Sequence, residues 1–285
     1  MTVLKLEADE QEVFLMQCFK NAQEMNTVSV LDRAFHYGDG CFSTALMRQG
    51  VLELNDLHFA RLHNSNERLY LGANLNLVQQ SIQLIQQQNS SASGTLKIIL
   101  SRGEGQRGYS LPEHPADVWV FFYPKELADF ECETFSSGVL EQVIGFSMPN
   151  LVGLKTLNRL EQVLLKQEAD QKGWAEALVM DIQGSVVEGV SSNCFIRIND
   201  RWITPELRYN GVHGTMRAEI LSRMQLQGIT CTQRLVDMEE IPTFQSVFFC
   251  NALHPMKIAS SLNGKPLDVQ ACTELFQTLQ LNQIH

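Results

Sequence analysis

Lys155 stands in the stretch Pro149-Asn150-Leu151-Val152-Gly153-Leu154-Lys155-Thr156-Leu157-Asn158-Arg159-Leu160, between two leucines and after a turn signalled by Pro149 and Gly153. Leu157, Leu160, Val163 and Leu164 form an apolar stripe at helical spacing, so a helix with Lys155 at its mouth is expected. A cation in a first helical turn is disfavoured by the dipole, and partial burial lowers its pKa further. Both effects favour the neutral amine that attacks a carbonyl. Alone, such a lysine would extend its ammonium to water beside a core helix, so its significance depends on other parts of the chain.

Two further stretches carry matching chemistry. Glu188 ends the apolar run Val186-Val187 and precedes the small, polar residues Gly189-Val190-Ser191-Ser192-Asn193. A carboxylate there is costly to bury unless something positive or protonated faces it, and a pyridinium nitrogen would serve. Gly211-Val212-His213-Gly214-Thr215-Met216-Arg217 leads into a helix expected over 218–227. Its Gly-x-x-Gly turn offers free backbone N–H groups to an anion such as a phosphate. Cys250-Asn251-Ala252 follows the apolar strand Val247 to Phe249 and could edge the same pocket. A reactive amine, a carboxylate for a ring nitrogen and an anion cradle are together what pyridoxal phosphate requires.

The elements that must position these groups suggest an α/β chain, α+β in arrangement and two-lobed, since 285 residues exceed the usual single-domain size. The expected division is a tail over 1–12, a small α/β domain over 13–125, a linker over 126–138 and a large domain over 139–285 carrying the lysine. In the first part, Met47-Arg48-Gln49-Gly50 signals a hairpin turn, and Asn55-Asp56 is expected to cap a helix running to Tyr70 and ended by Gly72. On that helix Leu57, Arg61 and Ser65 share one face. A second helix carries Leu75, Val78, Ile82 and Ile85 inward.

Gly103-Glu104-Gly105-Gln106-Arg107-Gly108 matches G-x-G-x-x-G literally after the strand Thr95 to Leu100. A dinucleotide site needs a helix directly behind that turn, and Pro112 and Pro115 occupy its place. A mobile loop carrying Arg102, Arg107 and Tyr109, suited to carboxylate recognition, is expected instead.

A net charge of -10 argues against nucleic acid as a partner, while a local arginine cluster still permits an anionic small molecule. Seven cysteines without Cys-x-x-Cys spacing suggest reduced thiols, with neither a disulfide framework nor a metal site. No apolar run reaches signal or membrane length, so a cytoplasmic protein without membrane contact is expected.

Several motifs occur in an order and spacing similar to those of fold-type IV, D-amino-acid aminotransferase-like pyridoxal phosphate enzymes (class IV aminotransferases). These are Asp32-Arg33-Ala34 with Gly38-Asp39-Gly40, Arg61-Leu62, Lys155 with Asn158-Arg159, Glu188 with Ser192-Asn193-Cys194-Phe195, and Gly214 to Arg217. The resemblance runs from about residue 13 to the C-terminus. Ser101-Arg102-Gly103 through Tyr109-Ser110, Leu154 through Val163 and Cys250-Asn251-Ala252-Leu253 look like the members that cleave 4-amino-4-deoxychorismate to 4-aminobenzoate and pyruvate in folate biosynthesis. Branched-chain or D-amino-acid transamination is the alternative on the same fold.

The resemblance implies that Lys155 bonds the cofactor and acts as the catalytic base, and that Glu188 faces the ring nitrogen. Arg61, Thr215, Met216 and Asn251 would bind phosphate, with Ser192 and Asn193 also at the cofactor. Arg107, Tyr109, Tyr37 and Asn158 would meet the substrate. It further implies a homodimer in which the Arg107 loop reaches the partner's site.

Overall fold

Buried and half-buried residues alternate along Gly40–Arg48 and Gly94–Ser101, as strands covered more heavily on one face should. A computed structural model of the protein describes residues 16–284; the expected tail over 1–12 lies outside the described residues.

The first lobe comprises β1 (Gln17–Lys20), β2 (Gln23–Glu24), α1 (Arg33–Tyr37), β3 (Gly40–Arg48), β4 (Val51–Leu52), α2 (Asn55–Arg68), α3 (Asn76–Gln88), β5 (Gly94–Ser101) and β6 (Asp117–Pro124). Its strands form one antiparallel sheet in the order β2-β1-β6-β5-β3-β4. Gln49 and Gly50 turn the expected hairpin with positive φ at both positions. Val78, Ile82 and Ile85 of α3 enter the core with Leu62 of α2 and Leu96, Ile98, Val118 and Val120 of the sheet.

Two local expectations for α2 are corrected. Leu54, in the left-handed region, takes the capping position, while Asn55 and Asp56 hydrogen-bond each other. The helix ends at Arg68, before Gly72, because Arg102 satisfies the last carbonyls: Nη1 donates to Tyr70 O at 2.5 Å and Nη2 to Leu69 O at 2.6 Å. Its Nε lies 3.2 Å from Asp39 Oδ1. Arg102 is thus a buried clamp on α2, not a carboxylate reader on a mobile loop.

Beyond β6 come β7 (Glu133–Ser137), β8 (Val139–Ile144), α4 (Leu160–Gln171), β9 (Leu178–Asp181), β10 (Val186–Gly189), β11 (Asn193–Ile198) and β12 (Arg201–Pro205). They are followed by α5 (Thr215–Leu226), β13 (Cys231–Arg234), β14 (Ser246–Asn251), β15 (His254–Leu262), β16 (Lys265–Pro266) and α6 (Val269–Thr278). A sheet in the order β13-β12-β11-β14-β15-β16, with β7 also on β15, packs beside a smaller β10-β9-β8 sheet. The stretch 126–138, expected to be an irregular connection, therefore contributes a strand, its register set by parallel pairing of β7 with β15.

On one face of the larger sheet, Phe195 and Phe248 stack at 4.8 Å beneath Met216, Ile220 and Met224 of α5 and Leu275 and Phe276 of α6. On the other, Ile196, Val247 and Phe249 meet Leu178 and Val186 of the smaller sheet. Each such side chain contributes roughly 1.5–3 kcal/mol when fully buried.

Arg102→Ala should lower stability to chemical denaturation by about 3 kcal/mol, since it strands the Leu69 and Tyr70 carbonyls just past α2 and leaves Asp39 with Arg33 alone. A loss below about 0.5 kcal/mol would contradict the clamp.

Candidate active site

Lys155 is not at a helix mouth. Pro149–Leu151 forms a single 3-10 turn, α4 begins only at Leu160, and Lys155 lies in an extended segment between them. That segment is pinned on both sides. Phe42 N–H donates to Lys155 O at 2.9 Å and Leu157 N–H to Gly40 O at 3.0 Å, extending the end of β3. Gly153 N–H donates to Gly211 O at 3.2 Å and His213 N–H to Gly153 O at 3.1 Å, tying the same chain to the run before α5. Gly153 has φ +80°, and a Cβ there would stand 2.6 Å from the His213 ring, so this close approach excludes a side chain. Arg68 of α2 reaches across to Val152 O (3.0 Å), Asn150 O (2.8 Å) and Pro149 O (3.2 Å). The lysine is presented from a bridge between the two lobes.

The expected core stripe of α4 is also corrected. Leu160, Val163 and Leu164 are 70%, 61% and 45% exposed, while Leu165, Glu168 and Ala169 face inward. Glu168 is held there by Glu141 and Gln142 N–H groups, which turns the helix away from its apolar periodicity.

A cavity of about 1180 Å³ opens beside Lys155, lined also by Arg61, Glu188, Ser192, Asn193, Thr215 and Asn251. Burial lowers the Lys155 pKa to about 8, reinforced by the positive charges of Arg61 and Arg159 and opposed by Glu188. The helix dipole invoked from sequence is not needed. Glu188 is pushed up to about 7 by burial, against the opposing effects of the Val212 N–H and the charges of Lys155 and Arg159. Its Oε2 accepts from Val212 N–H at 2.9 Å and Asn193 Nδ2 at 3.2 Å; Oε1 makes no hydrogen bond among the described residues.

On the cavity wall, Arg61 donates Nη1 to Ser43 Oγ and Nη2 to His213 O, both at 3.3 Å. Buried Arg61 Nε and buried Thr215 Oγ1 have no partner among the described residues. Thr215 opens α5, whose cap Gly214 supplies no side chain, so the first N–H groups stay available. Met216 offers only its backbone there, its side chain being wholly inside the core. Asn251 lines the wall, but its Oδ1 already accepts from Leu253 and His254 N–H, each at 3.0 Å.

Ser192 Oγ donates to Glu176 Oε2 at 2.5 Å, as does Ser191 Oγ at 2.8 Å. Sequence reasoning missed the buried, cavity-lining Glu176, although it precedes an apolar strand and so carries a signal like that of Glu188. It also missed Arg159, whose Nε and Nη2 fold back onto Thr156 while the side chain lines the cavity.

Asn158, Tyr37, Arg107 and Tyr109 do not line this cavity. Asn158 Nδ2 donates to Gly38 O at 3.2 Å and packs over Gly38, whose φ of +62° turns the chain out of α1. The other three gather at a separate place. Gly108 N–H donates to Tyr37 Oη at 3.2 Å, the Tyr37 and Tyr109 rings lie 5.5 Å apart, and Arg33 Nη1 holds Gly108 O at 2.8 Å. Arg107 and Tyr109 are exposed on that loop.

Modification of Lys155 by an amine-directed reagent, followed by peptide mapping without added cofactor, should rise with a midpoint near pH 8, because only the neutral amine reacts. A midpoint near the ordinary lysine value would contradict the desolvated, arginine-flanked setting.

The family model described as amino-transferase class IV matches residues 40–262. An aminodeoxychorismate lyase from Vibrio harveyi is 32% identical over 82% of this chain and 86% of its own length. A D-alanine aminotransferase from Bacillus licheniformis is 22% identical over 89% of each. The crystal structure of 4-amino-4-deoxychorismate lyase from Pseudomonas aeruginosa superposes with a TM-score of 0.82 at 32% identity, covering 91% of this chain and 96% of that one. The chain belongs to the amino-transferase class IV family.

Proposed function

We propose that the protein is a pyridoxal 5'-phosphate-dependent lyase that converts 4-amino-4-deoxychorismate to 4-aminobenzoate and pyruvate. The observation that carries the proposal is a lysine of lowered pKa that shares one cavity with an anion-ready helix start and a buried carboxylate. Arg61 Nε, Thr215 Oγ1 and the first N–H groups of α5 fit a phosphate, and each buried polar atom lacking a partner calls for one. Glu188, with Oε1 uncommitted, fits a protonated ring nitrogen. The similarity at 32% identity to lyases supports the choice of reaction.

When bound, the cofactor supplies an electron-withdrawing ring that accepts the electron pair left at the substrate's amine-bearing carbon. Lys155, whose lowered pKa leaves a large neutral share near pH 8, takes the proton from that carbon. Its two arginine neighbours keep its affinity for that proton low, so Lys155 can pass it on. Glu188 would hold the ring nitrogen's proton, and Arg61 would hold the phosphate group. The C–O bond at the neighbouring carbon then breaks as the double bond that completes the aromatic ring forms. The enolpyruvyl oxygen leaves with the bonding pair, and the proton held by Lys155 converts the released enolate to pyruvate.

The substrate's carboxylates need cations, and Arg107 with Tyr109 and Tyr37 would supply recognition from a partner subunit. The exposure of Arg107 and Tyr109, away from their own cavity, supports that arrangement. So do Val30, Phe35, Leu160 and Val163, large apolar side chains that are 74%, 75%, 70% and 61% exposed. The seven cysteines, unpaired among the described residues, suit a reducing cytoplasm. Transamination remains the second reading, favoured by the D-alanine aminotransferase similarity, because both reactions use the same cofactor contacts.

Supplied with 4-amino-4-deoxychorismate, the protein should release 4-aminobenzoate and pyruvate in equal amounts without a 2-oxo acid. A strict need for a 2-oxo acid acceptor would overturn the lyase assignment. Lys155→Ala and Arg107→Ala proteins, refolded together, should recover about one quarter of wild-type activity at low substrate, the share of sites holding both side chains in random dimers. Activity no greater than that of the unmixed variants would remove the loop from the partner's site.

A further inference from the structure

His58 and Ser43 are buried polar residues, 1% and 0% exposed, that the proposed reaction leaves without a role. Ser43 faces inward from β3, and His58 lies on α2 one turn before Arg61. Ser43 Oγ is 2.7 Å from His58 Nδ1 and accepts from Arg61 Nη1 at 3.3 Å. These contacts connect the core of the first lobe to the cavity wall.

The direction of each hydrogen bond follows from elementary chemistry. A guanidinium only donates, so Ser43 Oγ is the acceptor toward Arg61. The buried hydroxyl must place its own proton on an acceptor, and among the described residues its recorded acceptor is His58 Nδ1. Burial first and the Arg61 charge second lower His58 to about 3, so the ring is neutral and Nδ1 can carry a lone pair. The proton of His58 therefore sits on Nε2. Were His58 charged, Nδ1–H would donate to an oxygen that Arg61 already uses.

We infer that His58 and Ser43 are positioning residues that hold Arg61 ready for a phosphate before the cofactor arrives. This inference rests on the pyridoxal phosphate assignment. His58 commits the hydroxyl proton, Ser43 turns its lone pair to Nη1, and His213 O holds Nη2. Nε is then left without a partner among the described residues. Selection between a phosphorylated and an unphosphorylated aldehyde is thus set partly in the core behind Arg61. Fixing the guanidinium in advance removes an ordering cost from binding.

The test compares pyridoxal 5'-phosphate with pyridoxal, which lacks the phosphate, by titrating each into cofactor-free protein and following absorbance. In the wild type the phosphorylated form should bind far more tightly. Ser43→Ala should weaken that form about tenfold, as expected for one lost hydrogen bond to a charged group, while pyridoxal binding stays unchanged. His58→Leu should behave likewise, and His58→Gln, which returns an acceptor for the hydroxyl, should recover part of the loss. An unchanged ratio in Ser43→Ala, or equal weakening of both ligands, would overturn the positioning role while leaving the cofactor assignment standing. A wild-type protein that binds neither aldehyde would overturn both. Thermal unfolding of each variant separates loss of fold from loss of selection.

Discussion

A lysine amine that shares a partly dry cavity with two guanidinium groups and one carboxylate is the constraint behind the rest of the structure. Taking charges out of water is costly, and like charges close together raise that cost. Lys155 responds by giving up its proton more readily, and Glu188 responds by holding one longer. Among the described residues, Arg61 and Thr215 are left with unmatched polar atoms. A ligand with an anionic group at one end and a protonated nitrogen at the other relieves both conditions at once. This also explains how a chain of net charge -10 can be suited to an anionic substrate: the local sign at the cavity is opposite to the global one.

Holding these charges in register falls to a few backbone contacts. The run 211–213 touches almost every functional part: Gly211 and His213 grip the turn before Lys155, Val212 N–H holds Glu188, and His213 O holds Arg61. It then leads into the open N-terminus of α5. From the first lobe, Gly40 and Phe42 secure the far side of the lysine segment, and Arg68 clamps the turn before it. Lys155 is therefore positioned by both lobes, so an error in their packing would be felt at the amine.

Much of this was legible in the sequence where a residue type carries its own physical signal. Lys155, Glu188 and the Gly211–Gly214 turn stood out because each is chemically conspicuous beside an apolar run, and the structure brings all three to one cavity. Pro112 and Pro115 predict no helix behind Gly108, and the chain there is irregular. What failed was inference from periodicity and exposure. Leu160, Val163 and Leu164 of α4 have helical spacing but face outward, while Glu168 is held inward by backbone donors 26 and 27 residues away in the chain. Arg102 and Arg107 are equivalent as text, yet one is buried under a helix end and the other is exposed. Asn158 lies three residues from Lys155 but turns to Gly38, and Glu176 was overlooked though it anchors Ser191 and Ser192. In each case a contact distant in sequence decided the outcome.

The central claim is covalent capture of the cofactor aldehyde by one amine. Borohydride reduction of protein loaded with pyridoxal 5'-phosphate, followed by peptide mapping, tests it directly. The account predicts one cofactor mass per chain, fixed on the peptide that contains Lys155. An unlabelled Lys155, or label spread over surface lysines, would contradict it.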